Sequence, residues 1–160
     1  MSTMLNCNTF LASGSITGYV GPEIKCLKQH EAAKLPQRQH NTDAGADLFS
    51  CESLQIYPGD QALVDTGIAV KIPEGYAGFV YNRSSQGKRG IMIPHSVGVI
   101  DSDYRGTIKV ILKNIGDDPY KIEVGDRIAQ LVIQKVELVR FTDIWNDTQR
   151  GTGGFGSTGT

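Results

Sequence analysis

The chain has almost no net charge and no excess of basic residues. Its 160 residues carry 16 lysines and arginines against 17 aspartates and glutamates, which gives a formal net charge of −1 at pH 7. A general nucleic-acid or membrane-surface binder needs a basic excess to match the phosphate charge of its partner. We therefore expect neither a nucleic acid nor a membrane as a partner.

Long apolar runs and paired cysteines are also missing. No apolar segment approaches the ~20 residues that span a bilayer, and the N-terminus lacks the basic start of a signal peptide. Cys7, Cys26 and Cys51 are odd in number and widely spaced, so they support neither a disulfide framework nor a zinc site. These absences predict a reduced, cytoplasmic protein.

Helical periodicity is scarce, whereas the alternation typical of β-strands recurs. Apolar residues alternate within 68–72, 108–112 and 120–124, and residues 77–81 and 127–136 read as further strands. Turn signals separate these segments at 57–60, 73–75, 116–119 and 125–126. The pattern predicts a single all-β sandwich or barrel.

Three regions of different character are predicted along the chain. Residues 1–21 have no clear period and are interpreted as a flexible extension. Residues 22–140 form the β domain, in which we find no internal repeat or linker. Residues 141–160 lose the alternation and become a connector followed by a glycine-rich arm.

The arm, RGTGGFGSTGT over residues 150–160, contains five glycines among eleven residues. Glycine amides can form nests for phosphate, while Arg150 and Phe155 add a charge clamp and a stacking surface for an anionic, ring-bearing ligand. The letters Gly151-x-Gly153-x-x-Gly156 also match the dinucleotide fingerprint, but no helix can follow so close to the end. The alternative to a phosphate lid is a frayed terminus with no role.

Two clusters near predicted strand ends could carry chemistry. In DAGADLFS (43–50), Asp47 begins a strand after Gly45 and is either a turn residue or a functional carboxylate. In NRSSQGKRG (82–90), consecutive hydroxyls beside basic groups can open a helical turn whose free N–H groups bind phosphate. A capped surface turn with solvated charges is the alternative there.

The third cluster is VGVIDSDYRG (97–106). Asp101 follows a valine–isoleucine pair on a strand, which predicts a carboxylate against apolar surface, with the basicity of a general base. Asp103 lies two residues on and could share a metal, although hard cations usually need more oxygen ligands than this segment supplies. Hairpin-turn chemistry is the competing interpretation of the Asp-Tyr-Arg-Gly letters.

The chain contains five segments that closely resemble, in order, the five motifs of the trimeric deoxyuridine triphosphatases, or dUTPases. These segments are DAGADLFS, NRSSQGKRG, GVIDSDYRG, GDRIAQLVI and RGTGGFGSTG. The resemblance implies a jelly-roll-like β-barrel, a homotrimer with active sites shared between subunits, and a C-terminal arm that closes over a neighbouring site. It also implies hydrolysis of dUTP to dUMP and pyrophosphate, with Mg²⁺ on the triphosphate. Such a reaction keeps uracil out of DNA and supplies dUMP for thymidylate synthesis.

The resemblance assigns a role to each matching residue. Asp101 would activate the attacking water and contact the sugar 3′-hydroxyl, Tyr104 would lie against the deoxyribose, and Asp47 would hold waters of the magnesium ion. The phosphate chain would be bound by Arg83, Ser84, Ser85, Gln130, Arg150, Gly156 and Ser157.

Uracil would be read by the backbone of the hairpin ending in Gly98, Val99 and Ile100, with Lys109 on the return strand and Phe155 stacked on the base. Fixed backbone groups can match uracil, whereas cytosine leaves them unpaired. His95 stands where many members carry an asparagine that bonds the base, and imidazole can both donate and accept. Ala46 replaces a bulkier residue that often precedes the first aspartate.

Two other functions are compatible with parts of the sequence. A dCTP deaminase shares the fold and an Arg-Ser-Ser segment, but it needs a glutamate ten residues after the third-motif aspartate, where this chain has Ile111. A catalytically idle relative could serve as a regulatory binding protein, with residues 1–21 contacting an unknown partner. Retention of Asp101, Tyr104, Arg150 and Phe155 argues against idleness and leaves an added regulatory role open.

Overall fold

The computed structural model describes residues 21–146, 148 and 151–152, and within them eleven strands and one helical turn. The strands are β1 (Lys25–Lys28), β2 (Ala46–Phe49), β3 (Leu54–Ile56), β4 (Gln61–Asp65), β5 (Ile68–Lys71), β6 (Tyr76–Tyr81), β7 (Ile91–Met92), β8 (Gly98–Ile100), β9 (Lys109–Asn114), β10 (Tyr120–Ile122) and β11 (Arg127–Lys135). The helical turn α1 (Ser84–Gly87) follows β6. The predicted all-β class is confirmed.

Antiparallel pairing joins strands that are distant in sequence. The largest sheet has the order β2-β11-β6-β8, and a three-stranded sheet has the order β4-β9-β7. β1 pairs with β5, and β10 pairs with β3. β11 lies between two partners, so that Gln130 is opposite Asp47 on one side and Tyr81 on the other. This row places Asp47 and Tyr81 on the two strands that flank β11, so the DAGADLFS and NRSSQGKRG clusters lie on either side of β11.

The core is built from branched aliphatic residues, which pack well on pleated strands. Removing such side chains from water stabilises the fold by roughly 1.5–3 kcal/mol each. Gly78 in β6 lets this layer close tightly, because a Cβ there would lie 3.0 Å from Ile72 Cδ1 and 3.2 Å from Ile100 Cβ. The largest fully buried aliphatic side chains are Leu48, Ile56, Ile68, Ile72, Ile91, Ile108, Leu112, Ile122 and Ile128.

Most turns lie where the sequence predicts them, with one correction in β10. Gly75 has a φ of 79°, and the Tyr76 amide donates to the Pro73 carbonyl at 3.1 Å. The strand predicted over 120–124 ends at Ile122, and Val124 is half exposed. Its amide donates to Ser53 Oγ at 3.1 Å, and Gly125 turns the chain with a φ of 88°.

Residues 136–146 form neither helix nor strand. They carry strongly exposed apolar side chains, with Phe141 at 91% and Trp145 at 87% exposure. The proposed extension at 1–21 and the arm lie mostly outside the described residues, so the three-part division stays a prediction. Within the described part, no helix has the length and apolar character required to cross a membrane.

Candidate active site

A cavity of about 210 Å³ lies where the chain leaves β8 and enters β9. We call it the β8–β9 cavity. Three residues expected to contact a nucleoside through their side chains, Asp101, Tyr104 and Lys109, lie in its wall. The complete lining is Val99, Ile100, Asp101, Tyr104, Thr107, Ile108 and Lys109.

Tyr104 is held against this cavity by its own turn. The Tyr104 hydroxyl donates to the Thr107 carbonyl at 3.0 Å, while the side chain stays 43% exposed. Gly106 lies directly behind the ring, because a Cβ at Gly106 would come within 2.7 Å of Tyr104 Cζ. The ring can therefore occupy this place only because residue 106 has no side chain.

Lys109 is paired at the cavity margin. Its Nζ lies 3.3 Å from Asp65 Oδ2, and the same carboxylate oxygen accepts a 3.3 Å hydrogen bond from Thr107 Oγ1. Lys109 begins β9, which pairs with β4 and β7. β8 pairs with β6, so the expected return strand borders the cavity without forming a ladder with β8.

Asp101 differs from the expectation of a carboxylate packed on apolar surface, because it is exposed in the single chain. The reason is that β8 ends at Ile100 and the chain turns at once, with the Tyr104 amide donating to the Asp101 carbonyl at 3.2 Å. The predicted turn is therefore present in the backbone of this segment, but it is not a hairpin turn, because β8 and β9 do not pair with each other. The carboxylate remains free to face a ligand at the cavity.

His95 and Gly98 lie at the other end of β8, outside the cavity lining. His95 Nδ1 lies 3.1 Å from the Val97 carbonyl oxygen, and the ring is exposed beside Gly98. Ser96 has a φ of 69° between them, and the Val97 amide donates to the His95 carbonyl at 2.8 Å. This three-residue turn is a rare conformation for a residue other than glycine.

A second group of polar residues surrounds Asp47, and we call it the Asp47 cluster. Asp47 exposes 4% of its side chain, and its Oδ1 accepts a hydrogen bond from Arg83 Nε at 3.0 Å. Its Oδ2 lies 3.3 Å from Arg127 Nη1 and 3.1 Å from Gln39 Nε2. A buried carboxylate needs such partners, since an unpaired charge there is costly.

The turn after β6 extends this cluster. α1 is a single helical turn, as the sequence suggests, and Arg83 precedes it without a side-chain cap. Arg83 Nη1 donates to Ser85 Oγ and to the Arg127 carbonyl, both at 3.3 Å. Ser84 and Ser85 are exposed, so their hydroxyls and the first-turn amides can meet an anion.

Gln130 lies in the same row of the sheet, directly opposite Asp47. A Cβ at Gly45 would lie 3.2 Å from Gln130 Cβ, so this glycine leaves the space that the glutamine side chain occupies. Asp43 in the same loop has a structural role. The His40 backbone amide donates to its carboxylate at 2.9 Å, and this bond lowers the pKa of Asp43.

The cavity and the cluster are set apart within one chain. The β6–β8 register brings Asp101 level with Ala77 at the start of β6, whereas Arg83 follows Tyr81 at its end. The four residue steps from Ala77 to Tyr81 span about 13 Å. The Arg83 side chain also turns toward Asp47 on β2, which lies two strands away from β6, about 5 Å per strand.

The described residues contain no group of three or more His, Cys, Asp or Glu side chains able to hold a metal ion. A single carboxylate such as Asp47 fits an ion whose other ligands are phosphates and waters, which is how Mg²⁺ usually binds with nucleotides. Among the described residues, one hydrogen bond reaches Asp47 Oδ1, so that oxygen keeps acceptor capacity for a metal-bound water. Its burial argues against direct ligation.

A larger cavity of about 680 Å³ lies elsewhere, and none of the predicted site residues lines it. Its wall comes mainly from residues 21–26 and 35–46, together with Val70, Leu131 and Ile133. Cys26 belongs to this wall, and burial raises the pKa of its thiol, which disfavours a reactive thiolate. Size alone therefore does not identify the reactive region.

Several residues that complete these two regions were not predicted from the sequence. Arg127 stands within the GDRIAQLVI motif, and its basic side chain was the available signal. Thr107 and Ile108 directly follow the third motif. Gln39 and Asp65 carried no signal, since only the folded chain brings them to Asp47 and Lys109. Arg150, Phe155, Gly156 and Ser157 lie outside the described residues.

Comparisons with known proteins give the relatives of this chain. Residues 31–159 match the dUTPase family. The chain is 52% identical over 129 residues to the deoxyuridine 5′-triphosphate nucleotidohydrolase of Corynebacterium diphtheriae, covering 78% of this chain and 85% of that protein. It is 48% identical over 148 residues to the enzyme of the same name from Thermobifida fusca, covering 90% and 82% of the two chains.

Solved structures show the same fold. The dUTPase of Staphylococcus bacteriophage 80alpha with dUPNHPP has a TM-score of 0.75 at 31% identity, covering 88% of this chain and 100% of that one. A point mutant of the dUTPase from phage phi11 of S. aureus, whose structure reveals the coordination of a structural Mg(II) ion, has a TM-score of 0.74 at 28% identity, covering 78% of this chain and 98% of that one.

Proposed function

This chain belongs to the dUTPase family and hydrolyses dUTP to dUMP and pyrophosphate, and we propose that a homotrimer does so by joining the β8–β9 cavity of one subunit to the Asp47 cluster of another. The observation that carries this proposal is the separation of the two regions. One dUTP molecule must meet a group that reads its nucleoside and groups that bind its phosphates. In a single chain these lie at opposite ends of β6.

The β8–β9 cavity is the nucleoside half of the proposed site. Tyr104, fixed by Thr107 and backed by Gly106, would lie against the deoxyribose and leave no room for a 2′-hydroxyl. The backbone of Gly98, Val99 and Ile100 would read uracil. Lys109 lines the same cavity and would lie close to the nucleotide.

Asp101 is the proposed catalytic base. Its carboxylate would accept a proton from water, whose oxygen forms a bond to phosphorus while the bond between the α-phosphate and pyrophosphate breaks. Burial in the single chain does not activate Asp101, because it is exposed there. Closure by a neighbouring subunit and its arm would exclude bulk water from the carboxylate.

The Asp47 cluster is the phosphate half. Arg83, held by Asp47, would meet the phosphates with its remaining donors, joined by Ser84, Ser85 and Gln130. Asp47 orients the guanidinium, and this fixed geometry suits phosphate recognition better than a freely rotating charge. Arg127 holds the other carboxylate oxygen of Asp47.

Mg²⁺ would bind the triphosphate and neutralise part of its charge. Asp47 would contact that ion through water at Oδ1, which accepts one hydrogen bond among the described residues and keeps acceptor capacity. His95, beside Gly98, would contact the base.

The arm would complete the site. Arg150 would clamp the γ-phosphate, Phe155 would stack on uracil, and Gly156 with Ser157 would donate to phosphate. The exposed apolar connector at residues 136–146 supports this proposal, since such side chains are usually covered by a partner.

The cytoplasm is the proposed location. The described cysteines support it, because Cys26 and Cys51 are free. Disulfides are rare in that compartment.

The deaminase alternative lacks a proton carrier. Ile111 lies in β9 opposite Leu63, and a hydrocarbon side chain cannot move protons to a cytosine amine. A purely regulatory role would not need the fixed Tyr104 ring or the paired Arg83 guanidinium.

The test is to measure pyrophosphate release from dUTP, dCTP, dTTP and UTP side by side, with ammonia release from dCTP as a second readout. We expect rapid release from dUTP alone. Ammonia from dCTP would instead support a deaminase, and absence of any turnover would support a binding protein.

A further inference from the structure

Asp65 lies behind the β8–β9 cavity and contacts two of the residues that line it. It ends β4 directly opposite Lys109, the first residue of β9. It does not line the cavity itself. Its Oδ2 nevertheless lies 3.3 Å from Lys109 Nζ and accepts a 3.3 Å hydrogen bond from Thr107 Oγ1.

The Asp65 carboxylate is held in one orientation. Its Oδ1 accepts a hydrogen bond from the Gly67 amide at 2.7 Å. The backbone on either side is fixed as well, because the Asp65 amide donates to Glu52 Oε1 at 2.7 Å and its carbonyl accepts from the Cys51 amide at 3.0 Å. Oδ2 is therefore presented to the cavity wall at a defined position.

Asp65 Oδ2 restricts two residues in the wall of the β8–β9 cavity. Lysine is a flexible chain ending in a point charge, so a fixed carboxylate is what restricts the Lys109 ammonium to the cavity margin. The same oxygen also supports Tyr104, the residue expected to lie against the sugar, because the Thr107 carbonyl accepts a hydrogen bond from the Tyr104 hydroxyl. The Asp65 carboxylate therefore contacts both Lys109 and the Thr107 residue that holds Tyr104.

We propose that Asp65 is a positioning residue that preorganises Lys109 and the Thr107–Tyr104 wall for the nucleoside of dUTP. The proposal rests on the proposed role of the β8–β9 cavity as the nucleoside half of the site. Asp65 acts on ground-state binding, because it does not touch the reacting groups. Its loss should therefore raise KM for dUTP and leave kcat nearly unchanged.

The variant Asp65→Asn keeps an acceptor for the Gly67 amide and removes the charge that faces Lys109. We expect KM for dUTP to rise roughly five- to tenfold, from one lost ion pair and one weakened hydrogen bond. Glu123→Gln is the matched control, since it removes a carboxylate from another lysine pair, with Lys121, away from the cavity. That control should keep the wild-type KM.

A double-mutant cycle separates positioning from general loosening of the fold. In a Lys109→Met background, Asp65→Asn should change KM much less than it does in the wild type, because the shared interaction is already absent. Thr107→Val removes the other bond to Asp65 and should raise KM by itself, so the proposal stays testable even if Asp65→Asn folds poorly.

Equal fold-changes in both backgrounds, or an unchanged KM in Asp65→Asn and Thr107→Val, would overturn the role of Asp65. These results are distinct from failure of the proposed function. In that case either the wild type would release no pyrophosphate from dUTP, or Lys109→Met alone would leave KM for dUTP unchanged because the cavity does not hold the nucleoside.

Discussion

The β8–β9 cavity and the Asp47 cluster are built in opposite ways. The seven residues that line the cavity all fall within positions 99–109, and its Asp101 and Tyr104 are exposed. The cluster gathers Gln39, Asp47 and Arg127 from distant segments around a carboxylate that is 4% exposed. A local, open turn can change without disturbing the body, whereas a buried ionic centre supports the body as well as the site.

This difference predicts separate signatures for variants in the two regions. Substitutions of the exposed cavity residues should change turnover or selectivity at nearly constant melting temperature. Substitutions in the cluster should lower both activity and melting temperature, because removing one partner leaves a buried charge without compensation.

The largest effect is expected from Asp101→Asn, which keeps the shape of the side chain and removes the base. We expect kcat to fall by roughly 10²–10⁴-fold, the usual contribution of a general base, while dUTP still binds. Because Asp101 is exposed, the melting temperature should stay close to that of the wild type. Pyrophosphate release and calorimetric binding test both parts, and an undiminished rate would remove Asp101 from the role.

Arg83→Gln should come next, since it removes charge-assisted bonds from the cluster. We expect kcat/KM for dUTP to fall about ten- to hundredfold and the melting temperature to drop. Inhibition by deoxyuridine, which has no phosphates, should be unchanged because the cavity is intact. Weakened deoxyuridine inhibition would show that the two regions are not independent.

Gly106→Ala should act on selectivity. A Cβ at residue 106 meets the Tyr104 ring, and this half-exposed ring can move outward at little cost to stability. We expect the preference for dUTP over UTP to fall roughly tenfold. Wild-type selectivity in a folded Gly106→Ala protein would mean that ring position does not exclude the 2′-hydroxyl.

The smallest effect is expected at His95. The His95 imidazole can both donate and accept a hydrogen bond, so a contact with the base should contribute to the affinity for dUTP. His95→Ala should remove that contact and raise KM for dUTP roughly two- to fivefold, the effect of one lost hydrogen bond. An identical KM for the two proteins would mean that the backbone alone reads uracil.

Local patterns in the sequence predicted the strands and several turns, because alternation and turn residues act over a few positions. Predictions from these patterns were wrong where they depended on how far a strand continues. The expected burial of Asp101 assumed that β8 continues, and the predicted strand position of Val124 assumed that β10 does.

Long-range pairing was beyond local reasoning for a different reason. Arg127 meets Asp47 across 80 positions of sequence, and Asp65 meets Lys109 only through the β4–β9 register. The distance between the two halves likewise follows from the β6–β8 register, which no single segment encodes. The motifs could identify the parts of the site without showing that one chain keeps them apart.

The central claim is that each active site combines the cavity of one subunit with the cluster of another. Asp101→Asn and Arg83→Gln proteins, differently tagged, are unfolded together, refolded as mixed oligomers and assayed for pyrophosphate release from dUTP, with each variant refolded alone as the control. Sites that pair an intact cavity with an intact cluster should restore roughly a quarter of wild-type activity in a random cyclic trimer. Mixed oligomers that carry both tags and remain as inactive as the single variants would contradict the shared site.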